Sequence, residues 1–190
     1  MTTKTKRILG IVALATIWLT SFAVAAARAE VIDSEGPELP AACSELQVDA
    51  GNKLAFHVYA TGSQIYRWNG NAWVLFAPDA KLYVNENYQG LVGTHFGGPT
   101  WKSNSGSSVV AARVKDCLPD TSSIAWLKLQ TVVTDGPGIF SRVTFIQRVN
   151  TTGGLKPTLP GSFVGEEVSV PYTAEYYFYR NTGNPTEESN

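Results

Sequence analysis

From Val168 to Phe178 every second residue is apolar: Val168, Val170, Tyr172, Ala174, Tyr176 and Phe178 alternate with Ser169, Pro171, Thr173, Glu175, Tyr177 and Tyr179. A period of two over that length is a strand with one packed face, because successive side chains of extended chain point to opposite sides. The same period recurs upstream. Leu54, Phe56 and Val58 alternate with Ala55, His57 and Tyr59, which puts His57 on the face away from the apolar set. Ile65–Trp68 and Ala72–Phe76 read as aromatic-rich strands joined by Asn69-Gly70-Asn71, and an Asn-Gly step between such runs predicts a hairpin with a type I′ turn. Val109–Lys115 follows the turn Asn104-Ser105-Gly106, and Ala125, Leu127, Leu129, Thr131 and Val133 give the next strand one apolar face. After Asp135-Gly136-Pro137-Gly138, the returning strand is expected to turn Ile139, Val143, Phe145 and Val149 inward and Arg142, Thr144 and Arg148 to the other face. Pro171 cannot donate to a ladder, so its strand is expected at a sheet edge or with a bulge near its start. There is no internal repeat, and no helical period follows the first 29 residues. The fold class is therefore all-β, a single antiparallel β-sandwich or barrel.

The amino terminus has the pattern of an export signal: Lys4, Lys6 and Arg7 precede an apolar run from Ile8 to about Ala27, and Ala27-Arg28-Ala29 supplies the small residues a signal peptidase needs. The expected organisation is a signal peptide over 1–29, a loose N-terminal segment over 30–45, a β domain over 46–180 and a disordered tail over 181–190. Cleavage rather than anchoring is expected, which leaves no membrane partner and a secreted or periplasmic location. Four of the 15 basic residues and none of the 16 acids precede Glu30, so the remaining chain has 11 basic residues and a formal charge of −5. A mildly acidic domain with scattered Lys and Arg lacks the basic stripe that phosphate neutralisation requires, which argues against nucleic acid as a partner. The sequence leaves the oligomeric state open.

Cys43 and Cys117 both lie beyond the signal, and an exported chain meets an oxidising compartment, so one Cys43–Cys117 disulfide is the economical reading. Neither cysteine has a CxxC partner or a neighbouring histidine, which argues against a reactive thiol or a metal ligand.

Gly93-Thr94-His95-Phe96-Gly97-Gly98-Pro99-Thr100-Trp101 concentrates chain breakers, one of two histidines and a tryptophan in nine residues. There the backbone can approach a ligand, with Thr100 and Trp101 adding a hydrogen bond and a stacking face. The plain structural alternative is a His95 bonded to a carbonyl within an ordered loop. Tyr59, Tyr66, Trp68, Trp73, Trp101, Tyr177 and Tyr179 are candidates for an aromatic platform, though aromatics are favoured in strands for packing alone. Arg148 and Asn150, ahead of Gly153-Gly154, form a second candidate rim. The candidate binding residues are thus His95, Thr100, Trp101, Tyr66, Arg148 and Asn150. No spacing groups His57, His95 and the acids into a metal site, no Gly-x-Ser-x-Gly elbow is present, and no cofactor motif occurs. Acids such as Asp79, Glu86, Asp135, Glu166 and Glu175 are available for glycoside chemistry without any pattern that pairs them.

Six blocks carry a resemblance: Gly62-Ser63-Gln64-Ile65-Tyr66, Ala77-Pro78-Asp79-Ala80, Gly93 to Trp101, Ala125-Trp126-Leu127, Gln147 to Gly154 and Pro171-Tyr172-Thr173-Ala174-Glu175-Tyr176. In that order, over Leu46 to Arg180, the chain resembles the exported family catalogued as domain of unknown function 3455. The resemblance implies an exported β domain and supplies no mechanism. Some relatives carry a malate dehydrogenase label, but dinucleotide binding needs a glycine-rich turn from strand into helix, and the chain has neither GxGxxG nor βαβ alternation. The chain also departs from its relatives, which have a cysteine where Trp68 stands and another near Leu159 to Ser162. Paired loss of those two, with Cys43–Cys117 as a substitute staple, is the expectation the resemblance gives. The function expected is non-catalytic binding of a small molecule or carbohydrate; the alternative is a hydrolase-type or metal-dependent enzyme centred on His95.

Overall fold

The structure is a computed structural model and describes residues 36–183. Eight antiparallel strands run round a closed barrel in chain order: β1 (Asn52–Trp68), β2 (Trp73–Tyr83), β3 (Leu91–Phe96), β4 (Thr100–Ser103), β5 (Ser108–Cys117), β6 (Trp126–Asp135), β7 (Phe145–Gly153) and β8 (Glu167–Asn181). Of the two arrangements expected, the all-β fold is the barrel. Short connections keep sequence neighbours adjacent in space, and β8 closes the ring on β1 along nearly its whole length.

Closure corrects the expectation that β8 lies at an edge. Pro171 sits opposite Ser63 of β1, and its carbonyl accepts the Gly154 N–H at 2.9 Å just past the last β7 ladder pair, Gly153 with Tyr172. Its imide nitrogen therefore faces a place where β7 has run out, so the missing N–H costs the sheet nothing.

The alternation read in β1 and β8 is realised. Val58, Ala60, Gln64 and Tyr66 of β1 and Tyr172, Ala174, Tyr176 and Phe178 of β8 are buried inside the barrel. Small Ala60, Ala80, Ala111 and Ala174 make room for Trp101, Tyr172 and Tyr176, the large-and-small interleaving that fills a small barrel. Gly62 belongs to the same economy: a Cβ there would lie 2.1 Å from the Asp79 carbonyl oxygen, so only glycine permits this approach of β1 to β2. The end of the barrel formed by the start of β1 is plugged by Phe140 from the β6–β7 loop, in contact with Phe56 and Phe178, themselves stacked at 4.6 Å between ring centres.

Four local readings need correction. The loop between β1 and β2 has positive φ at Gly70 but not at Asn69, so the Asn-Gly step is not a type I′ turn; the Asn69 side chain instead accepts the N–H groups of Asn71 and Ala72. Val143 reaches the core as expected, but β7 begins only at Phe145 and is in the opposite register to the one expected: Ile146 and Arg148 point inward, Phe145 packs outside with Val48 and Tyr179, and Ile139 is exposed. Its alternation was misleading because both faces are covered. The N-terminal segment lies over its outside, where the buried Gln147 side chain donates to the Leu46 carbonyl at 2.7 Å and accepts from the Tyr179 hydroxyl.

That covering segment is the third correction. Within the stretch expected to be loose, Ala41–Leu46 forms a short 3₁₀ helix with Cys43 and Leu46 fully buried, tied to the end of β5 by the Cys43–Cys117 disulfide. The fourth concerns the tail: Asn181 ends β8 and the Thr182 N–H donates to the Gly51 carbonyl at 2.8 Å. The expected signal peptide and residues 184–190 lie outside the described residues. Among the described residues no helix is long and apolar enough to cross a membrane.

Candidate functional site

The barrel wall is uneven. β4 has only four residues, and the β3–β4 hairpin turns at Gly97-Gly98-Pro99, so pairing of β2 to β3 stops at Ala80–His95 and pairing of β4 to β5 stops at Thr100–Val110. The stretches Trp73–Asp79 of β2 and Ala111–Cys117 of β5 rise on either side of this short hairpin with no strand between them. Pro78, which has no N–H to donate, stands in the unpaired part of β2. The result is a notch opening into the barrel interior.

Below the notch lies a cavity of about 370 Å³ to which every strand contributes. Gln64, Leu75, Pro78, His95 and Trp101 line it from β1 to β4, and Arg113, Leu127, Leu129, Arg148 and Tyr176 from β5 to β8, with Pro99 and Ala125 from the connecting loops. Its volume falls within the range of about 300–1,000 Å³ typical of small-molecule sites.

His95 and Trp101 form one wall, with ring planes stacked at 4.1 Å and 11°, and Tyr176 meets the imidazole edge-on at 5.4 Å. His95 Nδ1 lies 2.9 Å from the Thr100 carbonyl oxygen, which can only accept, so the proton is on Nδ1 and Nε2 is left as an acceptor. Burial, against the opposing Thr100 bond and with a smaller push from the charge of Arg148, brings the imidazole pKa down to about 3. His95 is neutral throughout the physiological range. The expected carbonyl bond is thus present at Nδ1, but His95 lies in strand β3 rather than in a loop, and its ring lines the cavity.

Arg148 enters from β7, its Nε and Nη2 donating to the Ala125 carbonyl at 3.2 and 2.8 Å. Its positive charge acts on His95, Tyr66, Tyr172 and Tyr176 alike. Burial pushes all three phenols up, so these rings stay neutral beside it. Among the described residues no acidic side chain lines the cavity, nor does any serine, threonine or cysteine.

The sequence model of one family matches residues 49–180, a span that takes in all the cavity residues. The chain belongs to the family Protein of unknown function (DUF3455). No curated protein and no solved structure matches the chain. The family description names no activity, and the malate dehydrogenase label of some relatives finds no support in this antiparallel ring of strands.

Within the DUF3455 barrel the sequence-based candidates separate. His95, Trp101 and Arg148 come together in the cavity. Tyr66 lies beside it, buried, with its hydroxyl donating to the Gly154 carbonyl at 2.6 Å. Thr100 contributes its backbone carbonyl to His95, while its hydroxyl stays within the turn, bonded to the Gly97 and Gly98 carbonyls. Asn150 is on the outside, because the bulge between Val149 and Thr152 puts it at φ 48° and sends its amide to Glu175 at 3.0 Å. The expected rim of Arg148 and Asn150 is therefore split between the two faces.

The aromatic platform also disperses. Trp101 is inside, Trp68 and Trp73 pack together at the β1–β2 hairpin, and Tyr179 is under the N-terminal segment. Tyr59 and Tyr177 flank His57 on the outer face, where His57 Nε2 stands 2.9 Å from Glu175 Oε2 in an approach too oblique for a straight hydrogen bond. The His57 imidazole close beside it, with hydrogen bonds from Asn150 and Tyr177, holds the Glu175 carboxyl below its ordinary range. The two histidines face opposite sides of the barrel and do not meet. Trp68 and Gly161 are neighbours, a Cβ on Gly161 falling 2.5 Å from Trp68 Cγ.

Sequence reasoning missed Gln64, which is 1 % exposed and whose Nε2 has no hydrogen-bond partner among the described residues; the same is true of Trp101 Nε1, also 1 % exposed. Gln64 was legible as the next inward residue after Val58, Ala60 and Gly62.

The depressed pKa of His95 makes acid stability a readout of this wall. Below about pH 6.5 the unfolded chain takes up a proton that folded His95 refuses until about pH 3, so stability falls across that window by up to about 1.4 kcal/mol per pH unit. Urea unfolding at pH 7 and pH 5 is expected to show a clear loss of stability in the wild type. The loss should be smaller by about one proton's slope in His95→Gln, and equal slopes in the two proteins would place His95 in water rather than in the wall.

Proposed function

We propose that this protein binds a small, largely apolar molecule in the notch of its barrel and performs no chemistry on it. The observation that carries the reading is the cavity built from all eight strands, walled by buried His95 and Trp101 and entered by Arg148. Eight-stranded barrels are of the size that holds one small ligand. Leu75, Pro78, Pro99, Ala125, Leu127 and Leu129 give the wall an apolar part with no hydrogen-bonding side chain, which favours a ligand with an apolar body over a carbohydrate. A hydrolytic role centred on His95 gains little from a neutral, deeply buried imidazole with no carboxylate or hydroxyl nucleophile beside it. The Cys43–Cys117 disulfide favours an oxidising compartment, so we place this binding outside the cytoplasm.

Titration with the fluorescent probe N-phenyl-1-naphthylamine tests the reading. Emission is expected to rise to saturation at one probe per chain, and Leu127→Trp, which fills the cavity from β6, is expected to abolish the rise while leaving the fold intact. An unchanged titration in Leu127→Trp would move the binding site elsewhere.

A further inference from the structure

Arg148 stands out among the charged groups of the barrel because it points inward and, among the described residues, no acid answers it. The ion pairs found among the described residues involve His57, Arg67, Arg113, Lys115 and Lys128, not Arg148. Its Nε and Nη2 donate to the Ala125 carbonyl and the guanidinium also reaches the Tyr176 hydroxyl, both neutral partners that leave its charge unbalanced. A half-buried guanidinium without a counter-ion is costly in a low-dielectric interior. The other orphaned groups in the same wall have the same sense: Gln64 Nε2 and Trp101 Nε1 are both donors, both on side chains 1 % exposed. A wall that offers one fixed cation and two unmet donors, and no acid, is complementary to an acceptor-rich anion. The remainder of the wall, from Leu75 and Pro78 to Leu127 and Leu129, is complementary to hydrocarbon.

We propose that the ligand is a monocarboxylate with an apolar body, its carboxylate held by Arg148 and its body lying along the leucine and proline wall. The inference rests on the cavity being the binding site. A carboxylate suits the site because its two oxygens match the planar fork of a guanidinium and its single charge is neutralised by the single inward-facing arginine. A phosphate dianion would leave a charge uncompensated among apolar side chains. Arg113, at the mouth, is exposed and has Asp116 at 3.6 Å, so it serves entry rather than the buried contact.

Two acid–neutral pairs test this by calorimetry on the protein: 2-naphthoate against 2-naphthamide, and decanoate against decanol. The aromatic and aliphatic pairs distinguish the two kinds of body that share the carboxylate. In at least one pair the acid is expected to bind ten-fold or more tightly than its neutral partner. Arg148→Gln is expected to bring the acid down to the level of the neutral compound, and Arg148→Lys, which keeps the charge without the fork, to fall between. Comparison within each pair needs only the wild type, so the test holds even where a variant fails to fold. Acid and neutral compounds binding equally well would overturn the carboxylate assignment and leave the cavity as the site. Binding of neither member of either pair would overturn the cavity reading, and the inference with it.

Discussion

Removing the Cys43–Cys117 bridge, with both cysteines replaced by serine, is expected to lower the unfolding free energy by about 4 kcal/mol. The two residues are 74 apart in sequence, and the loop they close contains β1 to β4 and most of β5. In the chain-entropy account, releasing a loop of that size restores about that much freedom to the unfolded state. Set against the 5–15 kcal/mol that holds an ordinary domain together, roughly a quarter or more of the margin depends on this bridge. The native state loses too. Buried Cys43 holds the 3₁₀ helix against β5, and with that helix come Leu46, the Val48 contact with Phe145 and Tyr179, and the carbonyl that satisfies Gln147. Urea unfolding of the double serine variant should therefore show the lower midpoint, and limited proteolysis should find new cleavage ahead of Asn52. An unchanged midpoint with residues 36–51 still protected would mean that packing alone holds the segment.

The strands were legible where the barrel has one dry face and one wet one. β1 and β8 follow their alternation for many residues because the interior takes Val58, Ala60, Tyr176 and Phe178 while His57, Tyr59, Glu175 and Tyr177 sit outside. β7 was illegible for the converse reason. With Phe145 and Gln147 buried under the N-terminal segment and Ile146 inside, polarity no longer marks the face, and a one-residue slip in register exchanged the two sets. The cover was itself hard to foresee, since its order comes from a disulfide and two buried side chains within a stretch that otherwise has the composition of a tail.

The site was legible by residue type and not by assembly. The glycine-rich segment marked the place because its turn shortens the β3–β4 hairpin, but that turn opens a notch rather than cradling a ligand in its own backbone. His95 and Trp101 meet by facing each other directly across that hairpin, which the spacing of a four-residue β4 permits. Arg148 and Asn150, two apart, should share a face in a regular strand; the bulge after Val149 breaks that rule, and nothing local short of the turn-prone Asn150 announces it.

Trp101→Ala is expected to cost about 4 kcal/mol, the scale found when a fully buried large aromatic is truncated. Its indole is 1 % exposed, stacked on His95 and in edge contact with Tyr176 and Phe178, so it joins the cavity wall to the aromatic plug at the other end of the barrel. Truncation leaves a void that the surrounding strands cannot close, because Ala111 and Val109 on the neighbouring strand are already small. Trp101→Phe separates packing from polarity. It retains a ring against His95 and removes the indole N–H that has no partner, so the lost volume is partly offset by the relief of an unmet buried donor. The expected loss for Trp101→Phe is under about 2 kcal/mol, measured by urea unfolding beside Trp101→Ala. The pair of variants also bears on His95: with its stacking partner gone the imidazole gains access to water, its pKa returns toward the ordinary value, and the acid sensitivity between pH 7 and pH 5 weakens together with the stability. If Trp101→Ala cost less than about 1 kcal/mol, or left the acid sensitivity untouched, the stacked pair would not be the structural wall on which the cavity depends.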